Sequence, residues 1–102
     1  MAAVDVGTLN PMTPLEGRLS TLDITTATLI KAAPGRLFKV SVIVAGSGAG
    51  TLNDCATTAA AATANQVGTA PTAVGTVDFN WPMQTGIVVV PGSGQTLAIT
   101  WE

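Results

Sequence analysis

Short runs of alternating apolar and polar side chains, cut by glycine and proline, fill the chain from residue 21 onward. A period of two is the signature of strands with one face in a core. In residues 21–30 the side chains of Leu22, Ile24, Thr26, Thr28 and Ile30 share one face, and the segment is dense in β-branched residues. Pro34-Gly35 predicts a tight turn. Residues 36–45 carry the clearest strand pattern, with Phe38, Val40, Val42 and Val44 on one side and Leu37, Lys39, Ser41 and Ile43 on the other. The first side reads as core and the second as half-exposed. The two runs are expected to form an antiparallel pair across their short connection.

Gly46-Ser47-Gly48-Ala49-Gly50 closes this strand ahead of a short one at 51–55. The Ala-rich residues 56–65 read as a loop with one or two helical turns, because Thr57, Thr58 and Thr63 oppose the helix propensity of alanine. Pro71 restarts the strand pattern. There Val74, Thr76, Asp78 and Asn80 alternate with Gly75, Val77, Phe79 and Trp81, placing the larger groups inside, and Pro82 stops the run. Residues 84–90 read as an apolar strand in the middle of a sheet. Pro91-Gly92-Ser93-Gly94 then turns the chain into 95–101, where Leu97, Ile99 and Trp101 line up. This last strand reaches the end of the sequence and is expected to form a structural edge. Such spacing predicts an all-β fold, a small antiparallel β-sandwich or barrel-like domain over residues 21–102. No βαβ alternation points to a parallel sheet.

Residues 1–20 differ. They hold no sustained period, and Pro11 and Pro14 exclude a continuous helix. Val4, Val6, Leu9, Met12 and Leu15 make the segment too apolar for a plain solvated tail, so it reads as an extended N-terminal arm that lies along another surface or as a strand tucked against its own domain. An extended segment can add a strand to a neighbour's sheet edge, and these five side chains are the candidate partner-binding residues.

Composition sharpens the picture by omission. The 102 residues contain no His and no Tyr, one Cys, four basic and six acidic residues, against 47% hydrophobic residues. Lacking His, the chain lacks the commonest general base and metal ligand at neutral pH. Charged residues make up 10% and mean hydropathy is +0.48, so an uncovered surface would be poorly defended against association. Copies of the chain or another partner are expected to cover part of it. A net charge of −2 with only Arg18, Lys31, Arg36 and Lys39 as cations argues against nucleic-acid binding. Apolar runs fall short of the roughly 20 residues that span a bilayer, which argues against a membrane partner. The first ten residues show no signal-peptide pattern, and the lone Cys55 cannot form an internal disulfide, as suits assembly in a reducing compartment.

Candidate chemistry is thin. Gly46 to Gly50 has its third glycine one position too early for a dinucleotide fingerprint and leads into a strand, and the 91–94 turn lacks the lysine of a phosphate loop. Cys55, Ser41, Ser47 and Ser93 have no His to activate them. A hydrolase would need paired acids, for which Asp54 and Asp78 are the candidates. Phe38, Phe79, Trp81 and Trp101 are the only aromatics, so the core claims them first, with Trp81 between Asn80 and Pro82 the best candidate for an exposed contact. No catalytic, cofactor-binding or metal-binding residues are assigned.

The stretch Thr26 to Val42, with its Lys31-Ala32-Ala33-Pro34-Gly35-Arg36-Leu37 turn, and the later Gly50-Thr51-Leu52-Asn53-Asp54 and Trp81 to Leu97 segments resemble small β-sandwich virion proteins of tailed bacteriophages. The resemblance covers roughly residues 21–102. It implies a head decoration or cement protein, commonly a homotrimer, that binds the major capsid protein on the outer surface of the head after assembly in the host cytoplasm. A head- or tail-fibre module that binds a host-surface glycan is the alternative it allows. No catalytic residue is carried over.

Overall fold

A computed structural model describes residues 18–102, which form eight strands. In chain order these are β1 (Leu19–Ile24), β2 (Thr28–Lys31), β3 (Gly35–Val44), β4 (Gly50–Asn53), β5 (Gln66–Ala70), β6 (Gly75–Met83), β7 (Ile87–Val90) and β8 (Thr96–Trp101). Two four-stranded antiparallel sheets pack together as an all-β sandwich. Sheet I has the order β1-β8-β3-β6 and sheet II the order β2-β7-β4-β5.

Cross-strand rows build the core. Along sheet I, Leu19, Trp101, Leu37 and Trp81 form one row, and Thr21, Ile99, Val40 and Val77 the next. Leu37, Val40, Val42, Leu97 and Ile99 are buried and meet Leu52, Ala70, Ile87 and Val89 of sheet II. Each fully buried aliphatic side chain contributes about 1.5–3 kcal/mol relative to exposure. Phe79 of β6 packs on Gly68 of β5, where the missing side chain admits the ring between the sheets. β7 lies between β2 and β4, and Ile87, Val88 and Val89 are all fully buried, as the apolar 84–90 run predicts for an inner strand.

Several expectations are corrected. Residues 21–30 are not one strand: Asp23 adopts a left-handed φ of 57°, the ladder shifts between Thr21 and Ile24, and the run divides into β1 and β2 of opposite sheets. The expected hairpin across Pro34-Gly35 is therefore absent. β2 pairs β7 while β3 pairs β6 and β8, so the 32–34 link crosses between sheets. Within β3, a bulge sets Leu37 opposite Trp101 but Lys39 opposite Thr100, leaving Phe38 as the extra residue. Leu37 thus enters the core and Phe38 leaves it. A second shift between Val42 and Val44 exposes both Ile43 and Val44. Trp81, placed inside by the alternation but singled out as the aromatic best suited to an exposed contact, is 46% exposed at the edge of sheet I. β5 falls where no strand was expected, and β8 is an inner strand rather than an edge. Leu19 and Ser20 belong to β1, so the sandwich starts inside the stretch assigned to the arm.

The Ala-rich 56–65 loop contains two single 3-10 turns, Thr58–Ala60 and Thr63–Asn65. Its ends are tied by polar side chains. The Thr57 hydroxyl accepts from the Ala60 N–H at 3.2 Å, while the Asn65 side chain accepts from the Ala62 N–H at 3.0 Å and donates to the Ala60 carbonyl at 2.7 Å.

Gln95 is 1% exposed and holds two loops at the opposite end. Its Nε2 donates to the Pro71 carbonyl at 2.7 Å and its Oε1 accepts from the Gly92 N–H at 3.0 Å. Gln95→Leu leaves both partners unmet, and we expect it to cost about 2–4 kcal/mol in urea unfolding, since a buried orphan group costs about 1–3 kcal/mol. An unchanged urea midpoint would show that the clasp contributes nothing.

Candidate interaction surface

The outward side chains of sheet I follow from the bulge in β3. Beyond it, Ser20, Thr100, Lys39 and Asp78 form an outer row across all four strands. They floor an open groove of about 750 Å³, completed by Arg18, Leu19, Phe38 and Asn80. A smaller hollow of about 150 Å³ adjoins it, lined in part by Ser41, Thr76 and Ala98. The groove is open, and apolar atoms make up most of its lining.

Its charges are engaged locally. Lys39 Nζ lies 3.9 Å from Asp78 Oδ1, but both side chains are largely exposed, so the pair adds little to stability. The Arg18 guanidinium sits 4.4 Å from the Phe38 ring centroid, a cation–π contact that covers the face of the ring. Arg36 Nη1 donates to both the backbone and side-chain oxygens of Asn80 at 3.3 Å. Asn80 itself has a left-handed φ of 47°, a conformation asparagine tolerates well. Ser41 Oγ accepts from Thr76 Oγ1 at 3.3 Å. The groove can offer hydroxyls and an amide to a ligand, but it presents no nucleophile beside a base.

The candidate acid pair is not assembled. Asp78 lines the groove on sheet I, whereas Asp54 follows β4 and accepts from the backbone N–H groups of Gln84, Thr85 and Gly86 at 2.9, 2.7 and 3.2 Å. Asp78 lies six residues back along the chain from Gln84, about 20 Å of extended strand. Burial alone would raise the Asp54 pKa; the three N–H donors outweigh it and hold the carboxyl below its ordinary value. Cys55 is buried, and its thiol pKa is pushed up by burial, with the Asp54 charge adding to the effect against a hydrogen bond to Thr57. The thiol is a small core group. Among the described residues no cluster of three metal-ligating side chains occurs, and no helix is long and apolar enough to cross a membrane.

Exposed apolar side chains lie at the rim of this groove and along the edges of sheet I. Leu19 and Leu22 stand on β1 at one lateral edge, and Trp81 on β6 at the other. Ile43 and Val44 end β3 beside Val74, because Val42 pairs with Gly75. The partner-binding residues expected from the sequence, Val4, Val6, Leu9, Met12 and Leu15, lie outside the described residues. Sequence reasoning missed the Asp54 clasp and the edge role of β6. The Gln84-Thr85-Gly86 turn was the only available signal for the first, and Pro82 for the second. The chain matches no known family model, no curated protein and no solved structure.

The Asp54 clasp gives stability a defined pH dependence. A carboxyl whose pKa is lower folded than unfolded contributes fully above its unfolded value of about 3.9, and the contribution is lost as pH falls through the folded value. Asp54→Asn is expected to lose about 1.5–3 kcal/mol at neutral pH, the range for hydrogen bonds to a charged group. It should also show a flatter decline in stability below about pH 4 than the unsubstituted protein. Parallel acid limbs in denaturant titrations of the two proteins would remove Asp54 as the source.

Proposed function

We propose that this protein is a decoration protein of a tailed-phage head: a non-enzymatic virion component that binds the outer surface and bridges neighbouring capsid subunits. The observation that carries the reading is the placement of exposed apolar groups at both lateral edges of one sheet, Leu19 and Leu22 on β1 and Trp81 on β6. A bridge needs at least two contact surfaces facing different ways, and contacts made together reinforce each other because each later one is effectively intramolecular. A ligand-binding enzyme instead concentrates its apolar surface and polar groups in one concave pocket. Here the groove is open, its charges are locally engaged, and the proposed acid pair is unformed. The resemblance of residues 21–102 to phage virion sandwiches supports the identity of the partner, the major capsid protein, and association of the copies as a homotrimer. Low charge supports a surface that is covered in use.

The glycan-binding fibre reading is weaker on one specific point. Sugar recognition favours an open aromatic face, and Arg18 covers the face of the one aromatic in the groove, Phe38.

Purified protein mixed with empty, expanded heads should co-sediment with them and raise their melting temperature. Deleting residues 2–15 should leave the sandwich folded and weaken head binding, because Val4, Val6, Leu9, Met12 and Leu15 act as the clamp. Equal binding by the truncated chain would dismiss the clamp. Attachment to host cells without any binding to heads would favour the fibre.

A further inference from the structure

The part of β1 that lines the groove is held more lightly than the rest of sheet I. β1 is an edge strand, paired on one side only, with β8. Its ladder runs in step through Leu19 opposite Trp101, Ser20 opposite Thr100 and Thr21 opposite Ile99, then shifts before Ile24 meets Leu97. The shift spans Asp23, with its left-handed φ of 57°. Burial changes at the same point. Ile24 is fully buried in the core, whereas none of residues 19–22 is buried. Ile24 is thus a fixed post, and Asp23 a joint beside it.

Two side-chain contacts among the described residues fasten 18–22 to the sheet. Trp101 Nε1 donates to Thr21 Oγ1, and the Arg18 guanidinium lies over the Phe38 ring. Such a hydrogen bond shifts an opening equilibrium about two- to tenfold, and an exposed cation–π contact about two- to fivefold. Both are small beside the aliphatic burial that holds β3 and β8. The other edge strands have firmer anchors. β2 packs Ile30 on the core, β5 buries Ala70 and receives Phe79 at Gly68, and β6 buries Met83 and ties Asn80 to Arg36.

Arg18, Leu19 and Ser20 form one wall of the groove. Swinging them away about Asp23 removes that wall and bares the face of Phe38. The Trp101 N–H and the β8 main-chain groups opposite residues 19–21 lose their partners in the same movement. Closed and open forms therefore present different surfaces from the same residues.

We propose that residues 18–22 are a hinged flap on sheet I, pivoting at Asp23 beside the anchored Ile24, whose opening uncovers Phe38 and the adjoining edge of β8. Local openings of this kind need no global unfolding. The flap is a property of the free protein, and it neither requires nor excludes the head contact assigned to Leu19 and Leu22.

Native-state hydrogen exchange on the full chain is the test. The amides of residues 19–22 that bond to β8 and the Trp101 indole N–H should exchange together, at least about tenfold faster than the paired amides of β3. Their rates should be nearly independent of low urea, because a local opening exposes little surface. Thr21→Val should speed exchange of the flap amides about two- to tenfold, and Arg18→Ala about two- to fivefold. Flap amides that share the rate and urea dependence of β3 would overturn the proposal, since β1 would then leave only when the whole sandwich unfolds. An indole N–H that exchanges with the core, or flap amides indifferent to both substitutions, would overturn it too. No heads enter this experiment, so uniform exchange leaves the decoration reading standing, and failure to bind heads leaves the flap standing.

Discussion

The pairing of β3 with β8 decides what the rest of the molecule can be. These are the two inner strands of sheet I, and their ladder runs from Leu37 opposite Trp101 to Val44 opposite Thr96, interrupted twice by one extra residue in β3. Side chains alternate strictly along a strand, so each extra residue reverses which face the following side chains take. The first bulge brings Leu37 and Val40 to the same side even though they are three positions apart, and both are fully buried. It also throws Phe38 outward, where Arg18 covers it, and so creates the groove. Core and outer surface are therefore two results of one local irregularity.

A sandwich of this size has little apolar area to spend, and small domains bury a smaller fraction of their surface than large ones. Polar clasps at the two ends make up part of the difference. Gln95 joins the 71 and 92 loops, and Asp54 holds the turn between β6 and β7 with three N–H bonds. A third tie closes sheet I near the chain's end, where Arg36 and Glu102 exchange backbone hydrogen bonds of 3.0 and 2.9 Å. Each satisfies main-chain groups that strand pairing leaves over at the strand ends, which are costly to bury unpaired. The edge strand β1 is also fastened to β8 by the Trp101 Nε1 hydrogen bond to Thr21 at 2.9 Å.

The sequence pattern was legible where it was local. Alternation located β3, β6 and β8, a continuous apolar run located β7, and Thr residues in the 56–65 run argued correctly against a full helix. Partner choice was not legible, because adjacency along the chain says nothing of which sheet a strand joins once a short link can cross between layers. Asp23 marks the break between β1 and β2, yet an aspartate in a strand-like run gives no sign that its φ will turn positive. The bulges are invisible for the same reason: Leu37 and Phe38 are both apolar, and only the ladder decides which is buried. β5 was missed because Gln66, Gly68 and Thr69 lack apolar alternation, and Gly68 is there to receive Phe79 rather than to fill space itself.

Surface chemistry then follows from what these constraints leave outside. The cations on sheet I are engaged, Arg18 with Phe38, Arg36 with Asn80 and Lys39 with Asp78, so they do not compose an anion-binding patch. What the sheet leaves exposed instead are main-chain groups at its edges and the apolar side chains beside them. Both kinds of contact require close fit along an extended line and are nearly indifferent to the sign of a partner's charge. They are also screened far less by salt than long-range ionic attraction. A surface with these properties holds a partner by length of contact and by the number of contacts made at once. In a chain with 10% charged residues, contacts of this kind would gain strength from the number made at once rather than from ionic attraction.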